Sequence, residues 1–247
     1  MRTWILSSVL LGALLAGSSL HAGVVPEAGE NFSPAERSVF ADPHLDNLPG
    51  AATLRYRYRK NEAGQAAVDD EVVLTTRRED GRQGRVVQVD YLHGERHLTL
   101  PEVENATSNP LILYFLESDV REMHRRLGGQ ENYFRRRIRL ALAEAAQLSI
   151  VAVPYAGNVV QGTRVEIRPY ANDELQERFR GMAHKAYQFT LSADVPGGVY
   201  ELRTQVADVA GSGAPPLLEE ILTLREDGSE AAPVDPQRGP GFMTEGK

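Results

Sequence analysis

Residues 109–147 read NPLILYFLESDVREMHRRLGGQENYFRRRIRLALAEAAQ, and the fold turns on this stretch. Asn109 can cap a helix and Pro110 suits its first turn, where a missing N–H costs nothing. Leu111 to Leu127 then runs without a breaker to Gly128-Gly129, a strong stop. Gln130 to Gln147 predicts a second helix, with Phe134, Ile138, Ala141, Leu142 and Ala145 on one face at the 3.6-residue period. Two helices joined by Gly-Gly form an antiparallel hairpin.

The sequence on both sides of the hairpin has the two-residue period of strands. Upstream, Leu54, Tyr56 and Tyr58 alternate with Arg55, Arg57 and Arg59. Glu71 to Arg78 and Arg85 to Tyr91 flank a turn at Asp80-Gly81 and Gly84, and His93-Gly94-Glu95 turns the chain again into His97 to Leu100. Downstream, Leu148 to Val153 and Thr163 to Arg168 read as strands. Tyr187, Phe189 and Leu191 alternate before Pro196-Gly197-Gly198; Tyr200, Leu202, Thr204 and Val206 alternate after it; Leu217 to Leu224 is a last strand. Strands joined by short turns favour antiparallel pairing. The expected fold is α+β: a curved antiparallel β-sheet with the central two-helix hairpin packed against it.

The 247 residues hold 27 basic and 34 acidic side chains and no Cys. The composition excludes collagen-like, wholly disordered and disulfide-stapled classes, and a chain without Cys performs no thiol catalysis. Arg2, the apolar run Trp4–Ala16 and Leu20-His21-Ala22 read as a secretory signal, too short to span a membrane. Cleavage near Ala22 would leave a periplasmic or secreted protein with no transmembrane span and a net charge of −8, from −7 for the whole chain. An acidic chain is a poor nucleic-acid binder. The expected organisation is a signal peptide at 1–22, a polar leader at 23–50 that can hold a short helix after Ser33-Pro34, a single α+β domain at 51–225, and a disordered, Pro- and Gly-rich tail at 226–247.

No common catalytic or phosphate-loop signature occurs, so a non-enzymatic protein without metal or cofactor is expected. His93 and His97 flank Glu95, but Gly94 marks a turn and no third ligand is evident; Asp42, His44 and Asp46 form a similar, weaker cluster. Asp119 lies at the edge of the apolar arc made by Ile112, Phe115 and Met123. A carboxylate there needs a cation, and Arg126, the second helix or the Arg55, Arg57, Arg59 row are the candidates for a structural ion pair.

Charge is the hairpin's oddest property. Glu117 to Arg139 is net +3 in an acidic chain. Glu117–Arg121, Glu122–Arg126 and Glu131–Arg135 are local i, i+4 pairs. Arg136 and Arg139 have no acid one turn before them and lie opposite the Phe134–Ile138 stripe, positioned to meet an anionic partner.

The stretch Asn109 to Met123, followed by Tyr133-Phe-Arg-Arg-Arg-Ile138 and later by Pro196-Gly-Gly-Val-Tyr-Glu-Leu-Arg-Thr204, resembles a block found in uncharacterised exported proteins of Gram-negative bacteria. That resemblance implies an envelope location and no activity. A curved sheet with a helical lid is also similar, in architecture alone, to periplasmic carriers of lipoproteins and lipids. The expected function is non-enzymatic binding or carriage of an amphiphile in the cell envelope. Arg136, Arg139, Leu111, Leu116 and Phe134 are the candidate ligand contacts. The alternative is an envelope assembly factor working through the Arg-rich hairpin or a sheet edge. Anionic lipid or an envelope protein is the expected partner.

Overall fold

A computed structural model describes residues 32–79, 81, 83–98, 100–207 and 215–226. The expected signal peptide and nearly all of the expected tail lie outside these residues. Among the described residues nine strands form one antiparallel sheet: β1 (Ala51–Glu62), β2 (Val68–Arg78), β3 (Arg85–Tyr91), β4 (Val103–Ala106), β5 (Gln147–Tyr155), β6 (Asn158–Ile167), β7 (Lys185–Leu191), β8 (Val199–Val206) and β9 (Leu218–Leu224). Their spatial order is β4-β3-β2-β1-β9-β8-β7-β6-β5. Two meanders are thus joined where β1 pairs with β9. The chain leaves the sheet at the β4 edge, runs through helices α2 (Leu111–Leu127) and α3 (Glu131–Glu144), and re-enters at β5, the opposite edge.

The period-2 pattern explains the two faces. On β1, Leu54, Tyr56 and Tyr58 are buried while Arg55, Arg57 and Arg59 are exposed. In the antiparallel register Leu54 faces Leu74, and Tyr56 faces Val72 on one side and Leu224 on the other. The inward set continues across β7 with Tyr187, Phe189 and Leu191. Against it α2 buries Leu111, Ile112, Phe115, Leu116, Val120 and Met123, and α3 buries Phe134, Ile138, Ala141 and Leu142. The other face carries cross-strand ion pairs: Arg57 with Asp69, Arg55 with Glu71, and Arg203 with Glu219.

Three boundaries differ from the sequence reading. The fold does not start at Ala51. Ser33 caps a short helix α1 (Pro34–Glu36), accepting from Glu36 N while Glu36 accepts from Ser33 N, and a π-helical turn follows at Arg37–Ala41. Ala35, Val39, Leu45 and Leu48 lie in the core, so the spacing of these few apolar residues, hidden by prolines and acids, makes residues 32–50 part of the sheet–helix unit. Arg85 secures that segment: buried, it donates to Thr76 Oγ1 (3.0 Å), Gly50 O (3.0 Å) and Pro49 O. The strand expected at His97–Leu100 is a single bridge, Leu98 to Tyr91, and the edge strand β4 starts at Val103 instead. The second helix stops at Glu144, because Gln147 already belongs to β5.

The start of α2 is fixed by a polar lock. Asn109 Oδ1 accepts from Leu111 N (3.1 Å), and Asn109 Nδ2 donates to Gly197 O (2.9 Å). Asn109 N donates to Nδ1 of the buried His44, whose Nε2 donates to Ser38 O (2.8 Å). Gly197 has φ +73° and lies against Leu54 and Asn109, where a Cβ would collide. Only glycine fits there.

Candidate functional site

The helix–sheet interface has an apolar layer and a polar seam. Leu111, Leu116 and Phe134, the candidate apolar contacts, are all buried core residues. Phe134 stands edge-on to Tyr133, Tyr170 and Phe179 at 6.0–6.2 Å between ring centres, and Tyr170 stacks on Phe179 at 4.8 Å. Phe179 comes from a 3₁₀ segment, Gln176–His184, that periodicity does not reveal. Asp173, just before it, accepts from Tyr133 Oη (2.6 Å) and pairs with Arg137 (2.7 Å). In this closed arrangement the three candidate contacts touch protein, so a ligand chain between hairpin and sheet would have to take the place of those contacts.

Asp119 projects from α2 into the interface and pairs with Lys185 of β7, not with Arg126 or the Arg55, Arg57, Arg59 row. Both side chains are essentially inaccessible, at 1% and 0%. Asp119 Oδ2 also accepts from Tyr187 Oη at 2.5 Å, and Tyr187 Oη meets Tyr170 Oη at 3.2 Å. Burial, then the Asp119 charge, pushes the Tyr187 phenol well above its ordinary range, so it remains a donor. Lys185 is foreshadowed by parity alone: it shares the inward set of Tyr187, Phe189 and Leu191.

A second polar node closes the other end of α2. Arg126 makes a two-point contact with Glu62 (2.8 and 2.6 Å) and reaches Glu122 (2.6 Å); Lys60 joins Glu122 (3.3 Å) to the buried Glu220 (2.9 Å). Burial alone would raise the Glu122 pKa. Hydrogen bonds from Arg125 and Arg126 and the nearby Lys60 charge overcome it and hold the carboxyl at about 2. Every charge in these two nodes has an opposite charge beside it, and the pairs join helix to sheet.

The outer face of α3 is different. Of the seven arginines from Arg121 to Arg139, five are paired: Arg121 and Arg135 with Glu117, Arg125 and Arg126 with Glu122, and Arg137 with Asp173. Arg136 and Arg139 are exposed and make no ion pair among the described residues. They lie opposite the buried Phe134 and Ile138.

Other candidates are occupied by their own neighbours. An open depression of about 740 Å³ is lined by Arg57, Asp69, Asp70, Glu71, Arg225 and Glu226. Asp69 is taken by Arg57 and Arg59, and Glu71 by Arg55 and Arg225. Asp70 holds His93 (2.6 Å) and Arg96 (3.2 Å). His97 turns instead to Leu92 O and Asp90, so the two histidines do not converge. Among the described residues no three His, Asp or Glu side chains group as metal ligands, and no helix is long and apolar enough to cross a membrane.

No family model matches the chain and no curated protein matches it. Among solved structures it is similar to the crystal structure of the Mycobacterium tuberculosis lipoprotein LppX, at 11% identity and a TM-score of 0.31 over 78% of this chain and 93% of that one. A likeness that distant carries no argument about function.

Proposed function

We propose that this is a non-enzymatic binding or carrier protein of the cell envelope, exported by its N-terminal signal, whose ligand is an anionic amphiphile. One observation carries the reading. On a hairpin where five arginines are internally paired, Arg136 and Arg139 stand exposed without an ion-pair partner among the described residues, on the helix whose opposite face packs on the apolar sheet. A planar guanidinium binds two oxygens of a phosphate or carboxylate at once, which suits an anionic head group. The apolar part of the ligand belongs at Leu111, Leu116 and Phe134. Each such side chain contributes roughly 1.5–3 kcal/mol by staying out of water. Only a hydrocarbon tail replaces that contribution when the hairpin lifts, and a polar ligand does not.

Native mass spectrometry of the protein purified from the periplasm tests this. The expected spectrum shows a retained, chloroform-extractable anion. A spectrum of bare protein under conditions that keep the fold, together with no uptake of added anionic lipid, would overturn the reading.

A further inference from the structure

From Ala145 to Thr163, nineteen successive residues carry no Asp, Glu, Lys, Arg or His, in a chain that is 25% charged. They comprise the exit from α3, all of β5, a two-residue turn and the first half of β6. Both turn residues have positive φ, Ala156 at 50° and Gly157 at 73°, the type I′ geometry of a tight hairpin. In such a hairpin the closing pair, Tyr155 with Asn158, exchanges both backbone bonds, and every second pair after it does the same: Val153 with Val160, Val151 with Gly162, Ser149 with Arg164. The backbone N–H and C=O groups of Leu148, Ile150 and Ala152 therefore point away from β6, off the side of the sheet. Pro154 belongs to the same outward set, so its missing N–H does not interrupt the ladder.

β5 is a sheet edge, and of the devices that normally protect one it carries a single proline, Pro154 next to the turn, with no charged side chain and no bulge in its pairing with β6. The opposite edge, β4, has four residues, an irregular register and the exposed Glu104. β5 has nine residues and no charge, with Leu148 44% and Ile150 66% exposed.

We propose that β5 is a self-pairing edge, joining two copies of this chain through an antiparallel β5–β5 ladder about a two-fold axis at Ile150. The outward set is self-complementary. With Ile150 opposite its counterpart, Leu148 faces the partner's Ala152 and Ala152 the partner's Leu148, and each pair brings together residues whose backbone groups point outward in both copies. A large side chain meets a small one at either end, and two β-branched side chains meet at the centre. Pro154 donates no bond, which ends the ladder and fixes its register. Charge selects the place: two copies of a chain with net charge −7 repel, and a pairing centred on β5 sets no like charges opposite each other in the ladder.

The absence of Cys from the chain gives a clean test. Facing residues of a hydrogen-bonded antiparallel pair have Cα atoms about 5.5 Å apart, within disulfide reach. Ile150→Cys should therefore oxidise to a covalent dimer far faster than Val159→Cys, which is equally open to solvent at 72% exposure but sits on β6. Sedimentation equilibrium of the unmodified protein should show a monomer–dimer equilibrium, and Ile150→Lys, with circular dichroism unchanged, should weaken it by about tenfold or more, equivalent to 1.4 kcal/mol. A monomer at every concentration, or cross-linking no faster at position 150 than at 159, would overturn the pairing. So would a monomer that sediments with neutral phospholipid vesicles in an Ile150-dependent way, which would assign the hairpin to a lipid surface.

Discussion

Replacing Asp119 by alanine strands Lys185 at 0% exposure with no counter-charge. Breaking one side of a buried ion pair costs about 3–5 kcal/mol. The same substitution removes the acceptor of Tyr187 Oη, a charge-assisted bond that belongs within that total rather than on top of it. With a urea dependence of about 2 kcal/mol per molar, a loss near 4 kcal/mol moves the unfolding midpoint down by about 2 M. Lys185→Met should behave similarly, leaving the carboxylate buried without its cation. The double variant, Asp119→Leu with Lys185→Met, should recover most of the loss, because two apolar side chains need no partners. Urea unfolding followed by circular dichroism, at one pH and salt for all four proteins, compares them. An Asp119→Ala midpoint within about 0.5 kcal/mol of the parent, or a double variant as unstable as the sum of the singles, would refute the buried pair.

His44 gives a pH dependence with a defined sign. Burial lowers its pKa from 6.5, so the folded state favours the neutral ring whose Nδ1 accepts from Asn109 N. The stability it contributes is full above 6.5 and is lost as pH falls through the lower folded value. Thermal melts between pH 7 and pH 5 should slope downward, and His44→Gln should flatten the slope; an unchanged slope would remove His44 as its cause. Asp70, held at about 2 mainly by hydrogen bonds with His93 and backbone N–H groups against its burial, contributes above 3.8 and fails as pH drops through 2. Acid titration of Asp70→Asn should therefore show a smaller loss in that window. Gly197→Ala forces a left-handed φ on alanine and drives its Cβ into Leu54, so a destabilisation of about 2 kcal/mol or more is expected. A neutral result in the same urea assay would mean the turn rearranges freely.

Much of the architecture was legible because one face of the sheet is buried. Leu54, Tyr56 and Tyr58 against three arginines leave one orientation for β1, and the same parity orients β7 and β8. The hairpin was legible from its Gly-Gly link and apolar stripes. What escaped had no period. Val39, Leu45 and Leu48 enter the core singly from turns, and Phe179 comes from a 3₁₀ segment. The carboxylate of Asp119 was conspicuous on its helical wheel, but its cation lies 66 residues away in sequence, and choosing among cations needs the packing of α2 across the sheet. Arg136 and Arg139 were separable from their neighbours by two signals together, no acid one turn before them and a position opposite the Phe134–Ile138 stripe. The pairing of Arg137 with Asp173 was not, since that acid arrives from a loop.

Co-sedimentation with vesicles bears most directly on binding of an anionic amphiphile through Arg136 and Arg139. The unmodified protein and an Arg136→Glu, Arg139→Glu variant are each mixed with neutral and with anionic phospholipid vesicles, at low and at high salt. Each basic residue near an anionic surface contributes about 1 kcal/mol. Losing two should reduce binding to anionic vesicles roughly thirtyfold or more, since each glutamate adds repulsion to the lost attraction, with neutral vesicles little affected and added salt weakening the parent. Equal sedimentation of both proteins with anionic vesicles, or none by the parent at low salt, would contradict it.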